Sequence, residues 1–371
     1  MRLVFISNYF NYHQKSISDT FFSLCDEYKF ISTEKMDNDR LIMGWGENKD
    51  PEYVIAYYEN QQLCKNILLD YDIVIFGSVA YEIIKPRLVS GKITFFYSER
   101  IFKDKKSSIV NFLRAIKYIH QFRRFKNIYL LAASGYAAGD YASIGCFKNK
   151  ALKWGYFPET KIYDDTSALI CQKVPNSILW CGRFLDWKHP EMCIKLAEYL
   201  LEQHCTFKIK MVGVGPAKDT IVNDVMNKGL KEVIEVLDPL PPDQVRSLME
   251  KSKIYVFTSD RYEGWGAVLN EAMNSCCAVV ASSEIGSVPF LLESGTNGYS
   301  YSNNDYTDLG SKVKELLYNE DKCVQFGHNA YNTIANLWNA SSAAEKLIEI
   351  SDRLLKTEEL TYAINGPCSK T

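Results

Sequence analysis

Short apolar runs recur along this chain. Each is closed by glycine or a polar cluster, and most are followed by a segment of helical spacing. Leu3-Val4-Phe5-Ile6-Ser7, Tyr71 to Gly77, Lys92 to Tyr97 and Ile128 to Ala132 form a first set. Ser177 to Cys181, Phe207 to Val212, Val233 to Leu237, Ile254 to Ser259 and Ala278 to Ser282 form a second. Continuous rather than alternating apolar runs of this length belong to strands covered on both faces, as in parallel sheets. Helical spacing runs from Ser16 to Cys25, near Gly135 to Ile144, from about Pro190 to His204, up to Lys251, near Asp305 to Leu317 and near Ser341 to Leu355. Strand, loop, helix, strand is the βαβ pattern. Between the two sets, Glu159 to Asn176 lacks a period and reads as a linker. The pattern therefore predicts an α/β protein of two parallel-sheet domains with a cleft between them, the first over 1–158 and the second over 177–340.

Composition agrees with that size. A chain of 371 residues suits two domains, and 47% hydrophobic with 24% charged residues is globular with ample core. A net charge of −2 argues against a nucleic-acid binder. The 11 cysteines show no CxxC pair and read as reduced thiols of a cytoplasmic protein. None of the five histidines pairs with cysteine at zinc spacing. The run from Met1 to Asn8 is too brief for a signal peptide's apolar core, and no run approaches the ~18 residues that span a bilayer.

The chemistry gathers in the second domain. Arg261-Tyr262-Glu263-Gly264-Trp265-Gly266-Ala267 follows the Ile254 strand and opens the helix that carries Glu271. Glycines let a ligand approach the backbone, helix starts hold anions, and carboxylates hold hydroxyls through charge-assisted hydrogen bonds. Were the segment helical throughout, the two glutamates would stand about 12 Å apart, a span fit for two ends of one long polar ligand. Taken alone, the stretch also fits a loop glycine pair with one solvated glutamate. Gly182-Arg183-Phe184-Leu185-Asp186-Trp187-Lys188 sets two cations beside a glycine at a strand's carboxyl end, which suits a diphosphate: arginine bidentately, lysine as a point charge. Gly213-Val214-Gly215-Pro216 lets a nucleotide lie over the sheet edge but lacks the third glycine of a dinucleotide fingerprint. Glu284 to Phe290 either turns free N–H groups to the same anion or is an ordinary strand–helix turn.

In this order, Gly182-Arg183 with Lys188, then Val212 to Pro216, then Glu263-Gly264-Trp265-Gly266 with Glu271, then Gly286 with Pro289, the motifs resemble the GT-B retaining glycosyltransferases of family 4. The resemblance covers Ser177 to the C-terminus. It implies two Rossmann-like domains, with the nucleotide-sugar donor on the second and a last helix, about 341–371, rejoining the first. It further implies that Arg183 and Lys188 hold the donor diphosphate, Glu263 the transferred sugar and Glu271 the ribose. The main chain of Gly264, Trp265, Gly266 and Ala267 would line sugar and phosphate, with Gly182 and Gly213 beside them. Trp265 stands where phenylalanine is usual, and Ser287 where a second glycine is common.

On the acceptor side, His13, in a polar loop after strand one, and Glu99, at the end of the Lys92 strand, are the candidates. The family's common first-domain histidine has no certain counterpart. The donor implied is UDP- or GDP-linked, and the acceptor a glycan or lipid-linked oligosaccharide. No cofactor is expected, nor an obligatory metal, since no Asp-x-Asp element lies near the donor motifs. An epimerase or phosphorylase on this architecture, or a silent sugar-binding subunit, are the competing classes; the intact Arg183, Lys188, Glu263 and Glu271 speak against the last. Finally, Lys103-Asp104-Lys105-Lys106 begins a basic segment with apolar positions at Ile109, Phe112, Leu113, Ile116, Ile119 and Phe122. It reads either as a core helix or as a peripheral contact with the inner leaflet through Lys105, Lys106, Arg123 and Arg124.

Overall fold

The computed structural model describes residues 1–36, 50–103, 108–357 and 359–371. Lys105 and Lys106 of the basic segment lie outside them. The chain divides into two units, Met1–Glu159 with Trp338–Thr371, and Thr160–Leu337.

Unit 1 is built on a seven-stranded parallel sheet. Its strands are β1 (Arg2–Ser7), β2 (Glu27–Ser32), β3 (Val54–Ala56), β4 (Ile73–Phe76), β5 (Thr94–Ser98), β6 (Ile128–Ala132) and β7 (Ala151–Lys153). The order is β3-β2-β1-β4-β5-β6-β7, so winding reverses between β1 and β4. Helices α1 (Tyr12–Leu24), α2 (Gln61–Asp70), α3 (Tyr81–Val89), α4 (Ser108–Phe122) and α5 (Ala137–Ser143) connect them. Apolar β1, β4 and β6 are fully covered, as their unbroken runs require. Arg87, buried in α3, donates to the carbonyls of Leu68, Tyr71, Asp72 and Ile93; burial lowers its pKa to about 10, and these acceptors compensate the lost water.

Unit 2 carries a six-stranded parallel sheet in the order β10-β9-β8-β11-β12-β13. Its strands are β8 (Val174–Cys181), β9 (Lys208–Val212), β10 (Ile234–Leu237), β11 (Ser252–Phe257), β12 (Ala278–Ser282) and β13 (Tyr299–Tyr301). Helices α6 (Thr166–Cys171), α7 (Glu191–Glu202), α8 (Lys218–Asn227), α9 (Pro242–Lys251), α10 (Val268–Asn274), α11 (Val288–Leu291), α12 (Tyr306–Tyr318) and α13 (Glu320–Asn336) accompany it. The stretch read as a linker is partly ordered: Asp165 caps α6 by accepting from Ser167 and Ala168 N–H, and β8 begins at Val174. Lys173 between them is buried, and its ammonium donates to the carbonyls of Met249, Glu250, Ser252 and Ser275. Winding reverses between β8 and β11, the place where open α/β sheets bind ligands at the strands' carboxyl ends.

The last helix, α14 (Ala340–Thr357), belongs to unit 1, packs on α1 and buries Ala343, Ala344, Leu347, Ile350 and Leu354. Among the described residues, no helix is long and apolar enough to cross a membrane.

Candidate functional site

At the reversal point of unit 2, the loop after β8 and the loop after β11 are tied together. Trp180, buried in β8, donates its indole N–H to Thr258 Oγ1 at 2.8 Å. Thr258 in turn donates to the carbonyl of Lys188 at 2.7 Å, and the Asp260 N–H donates to the carbonyl of Trp187 at 3.0 Å. These bonds fix a single 3₁₀ turn, Asp186–Lys188, over the end of β11. His189 completes the clasp. It adopts a left-handed φ of 49°, with Nδ1 2.8 Å from Glu191 and Nε2 3.4 Å from Asp260, and the Glu191 hydrogen bond raises its pKa against the opposing effect of burial.

Within that frame the Lys188 ammonium is ion-paired with Glu263, which also accepts from Ser259 Oγ at 3.1 Å. Glu263 is 9% exposed. Lys188 lies over the rings of Trp187 and Phe257 at 4.6 and 5.6 Å. Arg183 is exposed, and its guanidinium has no hydrogen bond or ion pair among the described residues. Thus two of the expected site residues from different loops meet, and the second cation, Arg183, is exposed in the same loop as Lys188.

Glycine does specific steric work at the strand ends. A Cβ on Gly213 would lie 1.9 Å from the Gly182 carbonyl oxygen, so the loops after β8 and β9 can close on each other only with glycine there. A Cβ on Gly215 would likewise lie 2.5 Å from the Phe184 carbonyl oxygen. Gly266 has φ +87° and the Phe257 ring 2.6 Å from where its Cβ would be. The Phe184 N–H donates to the Val214 carbonyl at 2.9 Å and locks this packing.

The structure refines three readings. The segment from Glu263 to Ala267 is a turn, and α10 begins only at Val268, so Glu271 sits in the helix's first turn and the 12 Å helical spacing does not apply. Gly286 and Ser287 donate their N–H groups to the carbonyls of Glu263 and Trp265, at 3.1 and 3.2 Å; they fasten the glutamate turn and do not face an anion. The Trp265 side chain is fully buried and donates to Asn270 at 2.9 Å, which leaves its main chain alone for a ligand. Glu271 has its pKa raised by burial, partly offset by Arg246, whose guanidinium is held by Asn274 at 2.8 Å. Gly182 lies at the end of β8, and the position of its missing Cβ is 3.9 Å from the Lys188 Cδ. Gly264 and Ala267 are buried in the turn.

In unit 1, His13 is not in a loop. It lies in the first turn of α1, where its N–H caps onto Asn11 at 3.0 Å. Burial lowers its pKa to about 4, so the ring is neutral at neutral pH. Tyr156 joins it to Glu99: the phenol donates to the Glu99 carboxylate at 2.6 Å, and the His13 ring lies 6.0 Å from the Tyr156 ring. Lys103 pairs with the other carboxylate oxygen at 2.6 Å. Tyr156 thus stands between the two expected residues, which follow β1 and β5.

Residues 169–333 match the family model "Glycosyl transferases group 1". The matched stretch lies within unit 2. Over 190 residues the chain is 27% identical to the poly(ribitol-phosphate) alpha-N-acetylglucosaminyltransferase of Staphylococcus aureus, covering 51% of this chain and 37% of that protein. It is 33% identical over 154 residues to an uncharacterized glycosyltransferase of Methanocaldococcus jannaschii, 42% of either chain. The chain thus matches less than half the length of these relatives. The solved structure of Anabaena HepE in complex with UDP superposes with a TM-score of 0.68 over 94% of this chain and 99% of that one, at 15% identity. The fold is GT-B, two parallel-sheet α/β units. The matched stretch includes every site residue of unit 2 named above.

Several of its residues were not singled out by sequence reasoning. Thr258 and Asp260 carry a weak signal, a polar cluster directly after a buried strand. His189 and Arg246 carry none, since their role depends on partners from other loops. Tyr156 follows the short edge strand β7 and gave no sign of its bond to Glu99.

Proposed function

We propose that this protein is a retaining glycosyltransferase that moves a sugar from a UDP- or GDP-linked donor to a glycan or lipid-linked acceptor, at the cytoplasmic face of a membrane. The observation that carries the reading is the pairing of Lys188 with Glu263 at the reversal point of the unit 2 sheet, with Arg183 exposed in the same loop as Lys188. Nucleotide-sugar chemistry asks for such opposites side by side: cations for a diphosphate and a carboxylate for sugar hydroxyls. Support comes from the named activity of the S. aureus relative and the UDP in the HepE structure.

In this reading the bond between the sugar's anomeric carbon and the diphosphate oxygen breaks, and a bond forms to the acceptor oxygen on the same face. The acceptor's proton passes to the leaving phosphate. Negative charge grows on that phosphate, and Arg183 and Lys188 stabilise it where it appears. Glu263, released from Lys188, holds the sugar, Glu271 holds the ribose, and the main chain of Gly264 to Ala267 lines both. With two cations on the diphosphate, no obligatory metal is needed; activity that vanishes with chelator and returns with manganese would contradict this. His13, Glu99 and Tyr156 form the acceptor side.

Calorimetric titration of UDP and GDP tests the assignment. Glu271→Ala is expected to lower nucleotide affinity by about 1.5–3 kcal/mol, the cost of losing a charged hydrogen-bond acceptor. Unchanged affinity for both nucleotides would overturn it.

A further inference from the structure

Helix α4 turns most of its apolar residues away from the protein. Phe122 is buried, and Tyr118, Ile119 and Phe125 pack against the unit 1 core. Ile109, Phe112, Leu113 and Ile116 do not follow them: they are 74%, 64%, 60% and 48% exposed. At 100° per residue these four occupy one sector about 100° wide, with Phe122 well outside it. Isolated exposed apolar residues are ordinary, but four on one helical face form a continuous patch that asks for an occupant. Reading the segment as a core helix therefore holds only for its C-terminal turn.

Charge decides between occupants. From Ser108 to Lys126 the chain has Arg114, Lys117, Arg123, Arg124 and Lys126 and no Asp or Glu, although the whole chain has 43 basic and 45 acidic residues. Lys117, Arg123, Arg124 and Lys126 are exposed. Arg114 is committed inward, donating to the Ile101 carbonyl. A second copy of the same face would bring like charges together. An anionic bilayer offers both halves of what is missing, acyl chains for the apolar sector and phosphates for its basic edge.

We infer that α4 is a membrane-insertion face. Ile109, Phe112, Leu113 and Ile116 enter the boundary between headgroups and acyl chains, while Lys117, Arg123 and Arg124 meet lipid phosphates. This deepens the reading of a lipid-linked acceptor, because it names the surface that brings the enzyme to that acceptor's layer. It also changes the kind of attachment. Contact through cations alone is lost in salt. Contact through four inserted side chains persists in part, since burial of apolar surface is not screened.

Co-sedimentation with vesicles of phosphatidylglycerol and phosphatidylcholine in equal parts, against phosphatidylcholine alone, tests it at low and high salt. The wild-type protein is expected to bind the anionic vesicles and to keep part of that binding in high salt. The double variant Phe112→Ser with Leu113→Ser is expected to lower vesicle partitioning by about tenfold or more, the loss of two inserted side chains. Both residues are exposed, so its melting temperature and UDP binding should match wild type. Lys117→Gln with Arg124→Gln should weaken binding to the anionic vesicles only. Quenching of a Phe112→Trp variant by brominated acyl chains gives an independent reading of depth. Equal vesicle binding by the wild type and the Ser variant, no preference for the anionic vesicles, no quenching, or a concentration-dependent dimer that the Ser variant abolishes without any vesicle effect would each overturn the inference. Failure of the wild-type protein to bind UDP or GDP would instead strike the glycosyl-transfer reading and leave this face standing.

Discussion

Glu263→Gln separates the two duties of the central ion pair. In the free protein Lys188 is committed to Glu263, and the two side chains are only 13% and 11% exposed. A bound diphosphate must compete with that carboxylate for the lysine and must tolerate its negative charge. A carboxylate about 6 Å from one unit of phosphate charge, at an effective dielectric of about 20, repels it by about 3 kcal/mol. Solvent and the loss of Lys188's preferred position return part of this, so about 1.4 kcal/mol, or tenfold tighter UDP binding, is the expected net gain. Turnover with a complete donor should move the other way, falling by about 10² because the charged contact to the sugar is gone. Stability also falls. Breaking a buried pair costs about 3–5 kcal/mol, and the Gln can keep the Ser259 bond, so about 3 kcal/mol is reasonable. For a unit of this size that is about 6–12 °C in melting temperature. Calorimetry with UDP and GDP, turnover and thermal melting read the three quantities. Nucleotide affinity that drops about tenfold in a variant that still melts cooperatively would refute the competition argument.

Arg183→Ala and Lys188→Ala should each lower turnover by about 10² or more, as loss of one charge donor at a developing oxyanion does; near wild-type rates with purified donor and acceptor would exclude them from the diphosphate site. Gly213→Ala places a methyl 1.9 Å from the Gly182 oxygen and should cost about 3 kcal/mol or more in thermal melting, whereas Gly139→Ala in α5, with nothing within 4 Å, should be neutral or slightly stabilising. The folded-state pKa of His189 lies above the ordinary 6.5, so its protonated form contributes stability fully below that pH, and the contribution is lost as pH rises through the raised value. The melting difference between wild type and His189→Gln should therefore narrow as pH climbs from about 6 upward; a gap that widens with pH would show that the clasp does not depend on the imidazolium.

The central strands were legible because burial on both faces demands unbroken apolar runs, as in Ile73 to Phe76 and Ala278 to Ser282. Three short edge strands were not: Val54–Ala56, Ala151–Lys153 and Tyr299–Tyr301 are three residues each and too short for a pattern. Nor was β2, inside the unit 1 sheet, where Glu27 and Lys29 interrupt the apolar run. Glycine spacing marked the strand ends of unit 2 as places for close approach, but not that Gly213 approaches the Gly182 carbonyl. What spacing does not carry is the partner. The apolar period of Ile109 to Phe122 defines a helical face but says nothing of where that face looks, and most of it looks outward. Likewise Lys188 and Glu263 are 75 positions apart, and only the reversal of winding between β8 and β11 brings them together.

The return of α14 to unit 1 has a consequence for the order in which this protein is made. Unit 2 is one continuous stretch, Thr160–Leu337, and all of its sheet has left the ribosome before α14 has been translated. Unit 1 is split: α1 waits for Leu347, Ile350 and Leu354 to cover it, and β7 waits for the Cys368 and Ser369 main chain that bonds to Lys153. Domains made by ribosomes ordinarily finish from the N-terminus onward. Here the second unit to be started is the first that can be finished, and Met1–Glu159 stays incomplete until Trp338–Thr371 has followed unit 2.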